Sequence, residues 1–217
     1  TILDNIVNWS ADYKNAKKIA ASGFLLTALA AFLATGVSID YFVLRELPQD
    51  HPVTDTGHRM NQEFGGMSSI EVNLTGPAGT FKSPESLKVL EQIEEACIEL
   101  GVHKPVSFAA VVRELNRHLG DGSFIPNSQK YISQLLLLLE MGDNFDTESY
   151  VTFDYSQARL IGSFADIGAL KFYHFERKLT RKVEAITAGT GLNFNITGAS
   201  SVASLGFHSL LGELTLG

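Results

Sequence analysis

The chain has 217 residues, a formal net charge of −7, 19% charged residues and one cysteine, Cys97. That length suits one large domain or two small ones. The negative balance argues against a nucleic-acid partner, and a single thiol excludes an internal disulfide framework or a cysteine-based zinc cluster. Charge content falls below the roughly 25% of an average soluble domain and mean hydropathy is slightly positive, so part of the chain is expected to lie out of water.

The first residue is Thr and the last stretch is "GELTLG", an opening and an ending that predict a piece of a longer protein. The leading "TILDNIVNWSADYKNAKK" carries Ile2, Ile6, Val7 and Trp9, which suggests an interfacial helix with Trp9 at headgroup level. No charge then falls between Lys18 and Asp40. As a helix, residues 19–37 rise about 28 Å, close to the ~30 Å of a hydrocarbon core. Gly23, Gly36, Thr27 and Thr35 lie among its Ala, Leu and Phe, and small residues suit packing against other membrane helices. Lys14, Lys17 and Lys18 flank one end and Asp40 the other, which places the N-terminus in the cytoplasm and the rest outside. A cleaved signal is opposed by Asp4 and Asp12 in the lead-in. A buried soluble helix is opposed by the lack of an amphipathic stripe. The expected organisation is an interfacial segment and membrane helix over 1–38, then an outer domain over 39–217.

Beyond the span, strands and helices alternate. "SIDYFVL" reads as a short extended piece, and "VTDTGHRMNQEF" as a helix stopped at Gly65-Gly66. "MSSIEVNLTG" alternates imperfectly through Met67, Ile70, Val72 and Leu74 and predicts a strand. Ser83-Pro84 is a helix start, with Ser as N-cap and Pro at the first helical position. Leu87, Leu90, Ile93, Cys97 and Leu100 then recur at spacings of three and four. "KPVSF" predicts a brief strand. "AAVVRELNRHLG" and "SQKYISQLLLLLEMG" predict helices around the loop "DGSFIPN". Further strands are expected at "SYVTFDYS", "ARLIGSFAD" and "GLNFNITG". A helix between the last two presents Phe172, Phe175, Leu179, Val183 and Ile186 on one face, and another starts at "SSVASLG". Two βαβ-type units with a helical insert define an α+β fold of the split βαβ, ferredoxin-like kind. The strands near 67–75 and 191–198 are expected in one sheet.

No chemistry announces itself. There is no P-loop and no G-x-G-x-x-G opening a helix after a strand. "GASSVASLG" is not a nucleophile elbow. His51, His58, His103, His118, His174 and His208 show no metal-binding spacing. The carboxylates of "EQIEEACIE" read as a solvated helix face. Asp154 and Asp166 sit at predicted strands, where a turn role competes with a functional one. Sequons at Asn8, Asn73 and Asn195 matter only in a eukaryotic secretory pathway. No enzymatic activity, cofactor or metal is expected.

Two features stand apart. Leu135, Leu136, Leu137, Leu138 and Leu139 form an unbroken run. It is either a helix buried on all sides or a surface for a greasy substrate or a neighbouring subunit. Arg177, Lys178, Arg181 and Lys182 make a basic face, either solvated or set against anionic headgroups.

The series "LPQDHP" after a span, "EFGG" before a strand, "SPESLKVLEQIE", "PVSFAAVVRELN", "YVTFDYSQARLIGSF" and "NITGAS" before a terminal helix resembles resistance–nodulation–division (RND) exporters. The resemblance covers nearly the whole chain, and is closest to the lipid-type branch of mycobacterial membrane-large, hopanoid and Patched-like proteins. The "GSFIPNSQKYISQLLLLLEMGD" stretch is more similar to the second half of such a protein. The resemblance implies a multi-pass inner-membrane exporter of hydrophobic or lipid-like molecules, driven by protons. This piece would be one helix and its periplasmic porter domain, with proton-relay residues on helices outside it. The implied partners are an amphiphilic cargo, membrane lipids, the other half of the transporter or a second copy. Leu135–Leu139 would line the substrate path. The rival is a single-pass membrane protein whose outer domain binds or scaffolds partners without transport.

Overall fold

The computed structural model describes residues 9, 13–34, 40, 42, 48, 51–141 and 147–216. The expectations for Ile2, Ile6 and Val7, for residues 35–37 of the span and for most of "SIDYFVL" lie outside them. The chain divides into two compact units, Thr1–Asp40 and Tyr41–Gly217.

In the first unit, α1 (Tyr13–Ala34) begins before the predicted apolar run and includes Lys17 and Lys18. Its stretch Asn15–Ala34 is long and apolar enough to cross a membrane by length and composition, and none of it is buried in the protein. The hydroxyls inside it are satisfied locally. Ser22 Oγ donates to the Ile19 carbonyl and Thr27 Oγ1 to the Gly23 carbonyl, each at 2.9 Å. Such internal pairing is what a hydrocarbon surrounding demands.

The second unit is α+β. Its elements are α2 (Pro52–Glu63), β1 (Ser68–Thr75), α3 (Pro84–Glu99), β2 (His103–Ser107), α4 (Phe108–Leu119) and α5 (Gln129–Glu140). Then come β3 (Gln157–Phe164), α6 (Ala169–Thr187), β4 (Asn193–Thr197) and α7 (Ala199–Leu216). The strands form one sheet in the order β2-β3-β1-β4, and every neighbouring pair is antiparallel. The two strands expected to share a sheet do so: β1 pairs with β4 from Glu71↔Thr197 to Thr75↔Asn193.

Alternation decides which side of the sheet is covered. Ile70, Val72 and Leu74 of β1 are fully buried, with Leu160 of β3 beside them. They meet Leu87, Leu90, Ile93 and Cys97 of α3 and Phe172, Phe175, Leu179 and Val183 of α6 in one core. Burial of this kind stabilises by roughly 1.5–3 kcal/mol per large side chain. The opposite side carries Glu71, Asn73 and Arg159, with Arg159 Nη1 3.5 Å from Glu71 Oε2. Met67, expected in the strand's apolar series, lies before β1 and is 48% exposed. Helix α3 starts as predicted: Ser83 Oγ accepts from the Ser86 N–H and Pro84 is the first helical residue. Glycine is required at Gly66, where φ is +128° and a Cβ would collide with the Phe164 carbonyl.

Two expectations need correction. "SYVTFDYS" is not a strand. A short 3₁₀ turn at Thr147–Ser149 is followed by a single bridge, Val151↔Ala158. The Asp154 carboxylate then closes a tight turn, accepting from Thr152 Oγ1 (2.7 Å), Ser156 N (3.2 Å) and Ser156 Oγ (2.8 Å). Side-chain-to-backbone bonding of this type competes with a ladder, and Tyr155 sits at φ 57°, outside any strand. "EQIEEACIE" is not a uniformly solvated face either. Glu94 is buried and Ile98 is exposed.

Candidate functional site

Glu94 is buried because it organises the junction between β2 and α4. Its Oε1 accepts from the Ser107 backbone N–H (3.0 Å) and from Ser107 Oγ (2.6 Å). Ser107 Oγ in turn accepts from the Ala109 N–H, capping α4. Arg113, two turns into α4, spans Glu94 Oε2 at 2.7 Å and Glu91 Oε1 at 2.8 Å. A buried carboxylate is tolerated when it is both paired and hydrogen-bonded, and Glu94 is both. The same burial acts on Cys97. Desolvation first, and the charge of Glu94 second, push its thiol up to about 12.

Residues of β2, α4 and α5 next to this junction line an apolar groove of about 620 Å³, within the range of ligand-sized pockets. Val106 of β2 forms one wall. Ala110, Val111, Leu115 and Leu119 of α4, Leu139 of α5 and Tyr150 line the groove as well. Glu114, His118 and the Tyr150 phenol are the charged or titratable groups in the lining. Leu115 and Leu119, and Glu114 and His118, are each four residues apart, so both pairs rise on neighbouring stripes of one helix. Leu119 is 56% exposed and Val106 36%, so the groove presents apolar surface to its opening.

The polar end is neutralised from within. Arg117 holds both oxygens of Glu114, at 2.9 Å and 2.5 Å, and His118 Nε2 lies 2.9 Å from Glu114 Oε1. The Arg117 hydrogen bonds, followed by that of His118, draw the Glu114 carboxyl down to about 2. None of the lining residues is Ser, Thr, Cys or Lys. The arrangement can desolvate an apolar body and offer hydrogen bonds to one polar end.

The five leucines part company. Leu135 and Leu136 are core residues, Leu137 and Leu138 are exposed, and Leu139 is half-buried in the groove wall. The helix is therefore neither buried on all sides nor wholly a surface. From the sequence, His118 is weighed only as a metal ligand, and Glu114, Leu115 and Leu119 are not singled out. Their signal is the paired i, i+4 spacing in "RELNRHL".

Other singled-out residues have local duties. Asp154 closes its turn, and Asp166 Oδ1 accepts from the Gly168 N–H just before α6. His51 caps α2, its Nδ1 accepting from the Val53 N–H at 3.2 Å. On the basic face, Lys182 Nζ is 2.6 Å from Glu99 Oε2 and the Arg177 guanidinium lies over the Tyr173 ring. Among the described residues no group of three or more His, Cys, Asp or Glu is placed to hold a metal ion. A second hollow, beside Phe164, Phe172 and Ser204, measures about 50 Å³ and is water-sized. No protein-family model matches the sequence, and no curated protein matches it.

Proposed function

We propose that this chain is the membrane helix and periplasmic porter domain of an RND-type exporter of hydrophobic or lipid-like molecules, and that the groove between β2, α4 and α5 takes the cargo. The observation that carries this reading is the groove itself, a ligand-sized apolar hollow with one polar end and no Ser, Thr, Cys or Lys in its lining. Cargo binds there by removing apolar surface from water, at roughly 25 cal/mol per Å², and leaves by motion of the domain rather than by reaction. The strand order β2-β3-β1-β4 supports the same reading. It is the order that two split βαβ units produce, with α4 and α5 inserted between β2 and β3. In the wider protein, proton-carrying residues belong to further membrane helices.

A second reading is favoured by the single candidate membrane helix among the described residues. The chain is then a single-pass protein whose outer domain binds hydrophobic molecules without moving them. Retention of a hydrophobic dye such as Nile red, in cells carrying Leu115→Glu in the native gene, separates the two. Export predicts raised dye retention at unchanged protein level. Unchanged retention, with a folded variant, contradicts export.

A further inference from the structure

We propose that the outer edge of β4 is a pairing surface for β4 of a second copy of this chain, joining two four-stranded sheets antiparallel across a two-fold axis. The sheet order leaves two edges, β2 and β4, and the sequence treats them differently. An open edge is a template for another strand unless it is blunted. β2 is blunted three ways. Pro105 has no N–H to donate, Lys104 places a charge there at φ 42°, and the register breaks between His103 and Val106.

β4 has none of these devices. "NFNIT" contains no charge and no proline, and its pairing with β1 runs without a break over five residues. No hydrogen bond reaches the outer backbone groups of β4 from another described residue.

The strand is also complementary to itself. Antiparallel pairing centred on Asn195 sets Asn193 against the partner's Thr197, Phe194 against the partner's Ile196, and Asn195 against the partner's Asn195. Directly opposed residues share a face, so polar meets polar on the open side. Phe194 and Ile196, which already pack against the core, meet their counterparts on the covered side. No like charges oppose each other, which a β2–β2 pairing through Lys104 cannot offer. Five residues per strand join a small surface, so the pairing is a weak, concentration-dependent equilibrium.

Asn195→Cys tests this in the full chain held in detergent micelles. Opposed residues of an antiparallel pair stand roughly 4.5–5.5 Å apart at Cα, inside the roughly 4.4–6.8 Å that a disulfide spans. The native Cys97 is buried and does not compete. Mild oxidation is expected to link Asn195→Cys into dimers at a rate far above Lys178→Cys, an exposed control on α6. Asn195→Lys and Asn195→Glu are each expected to weaken dimerisation roughly ten-fold or more by placing like charges together. Mixing the two restores it, with circular dichroism confirming that both fold. Cross-linking no faster than Lys178→Cys overturns the proposal. So does a self-association that Asn195→Lys leaves untouched, or a wild-type chain that stays monomeric at every concentration.

Discussion

Two adjacent residues of α4, Arg113 and Glu114, enter two charged clusters built from the same residue types and put to opposite uses. On the inner side, Arg113 meets Glu94 of α3, with the two side chains only 24% and 5% exposed. On the outer side, Glu114 and Arg117 meet with side chains 57% and 49% exposed. The inner cluster fixes where α4 leaves the sheet, and removing Arg113 strands the buried Glu94 charge. The outer cluster lies in solvent, where a pair contributes little to stability, and it stands in the lining of the groove, where a ligand would meet it. Burial, rather than distance or charge, separates a structural ion pair from one available for recognition.

The comparison breaks most sharply at Arg113. Arg113→Ala leaves Glu94 buried and short of a partner, and should destabilise the domain by about 3–5 kcal/mol, read as a lowered urea midpoint at unchanged slope. A loss no larger than that of an exposed surface substitution would show that the inner cluster is no different from the outer one. Ser107→Ala is next. It removes the cap of α4 and one of the bonds to Glu94, and should cost about 1–2 kcal/mol in the same titration.

Cys97 reports the same burial through pH. Its folded value, about 12, lies above the ordinary 9.0. The contribution of the neutral thiol is therefore complete below pH 9 and is lost as pH rises toward 12. The folded chain should resist iodoacetamide at mildly alkaline pH and react only on unfolding. Rapid alkylation of the native protein would contradict the packing around Glu94.

Glu114→Gln should be the smallest of these effects on stability, with no resolved shift in the urea midpoint. The sign with pH is the reverse of that for Cys97. The Glu114 carboxyl is depressed to about 2, so whatever its pairing contributes is present above the ordinary carboxylate range and disappears as pH falls through about 2. A clear destabilisation by Glu114→Gln at neutral pH would remove the contrast between the inner and outer sides of α4.

What the sequence disclosed follows from the range of the forces involved. The Ser83-Pro84 start of α3, the Phe172–Ile186 face of α6 and the alternation of β1 are local patterns, and each became the element expected. The turn at Asp154 was misread because Val151, Phe153 and Tyr155 alternate as a strand would, while three hydrogen bonds to one carboxylate outweigh that alternation. Glu94 reads as a solvated residue in the sequence because its partners, Ser107 and Arg113, lie 13 and 19 residues away. The groove was hidden for the same reason. Val106, Leu115 and Leu139 come from three elements, and only tertiary packing brings them to one groove. The leucine run drew notice through its density, yet only Leu139 reaches the groove.

The central claim, that the groove receives a hydrophobic molecule, is tested most directly by photocross-linking. The full chain in lipid nanodiscs is irradiated with a diazirine-bearing fatty acid, and the adducts are mapped by mass spectrometry. The groove predicts adducts on the peptides holding Leu115, Leu119 and Leu139, with Leu115→Glu suppressing them and labelling of α1 by bulk lipid unchanged. Adducts confined to α1, or α4 adducts indifferent to Leu115→Glu, would contradict it.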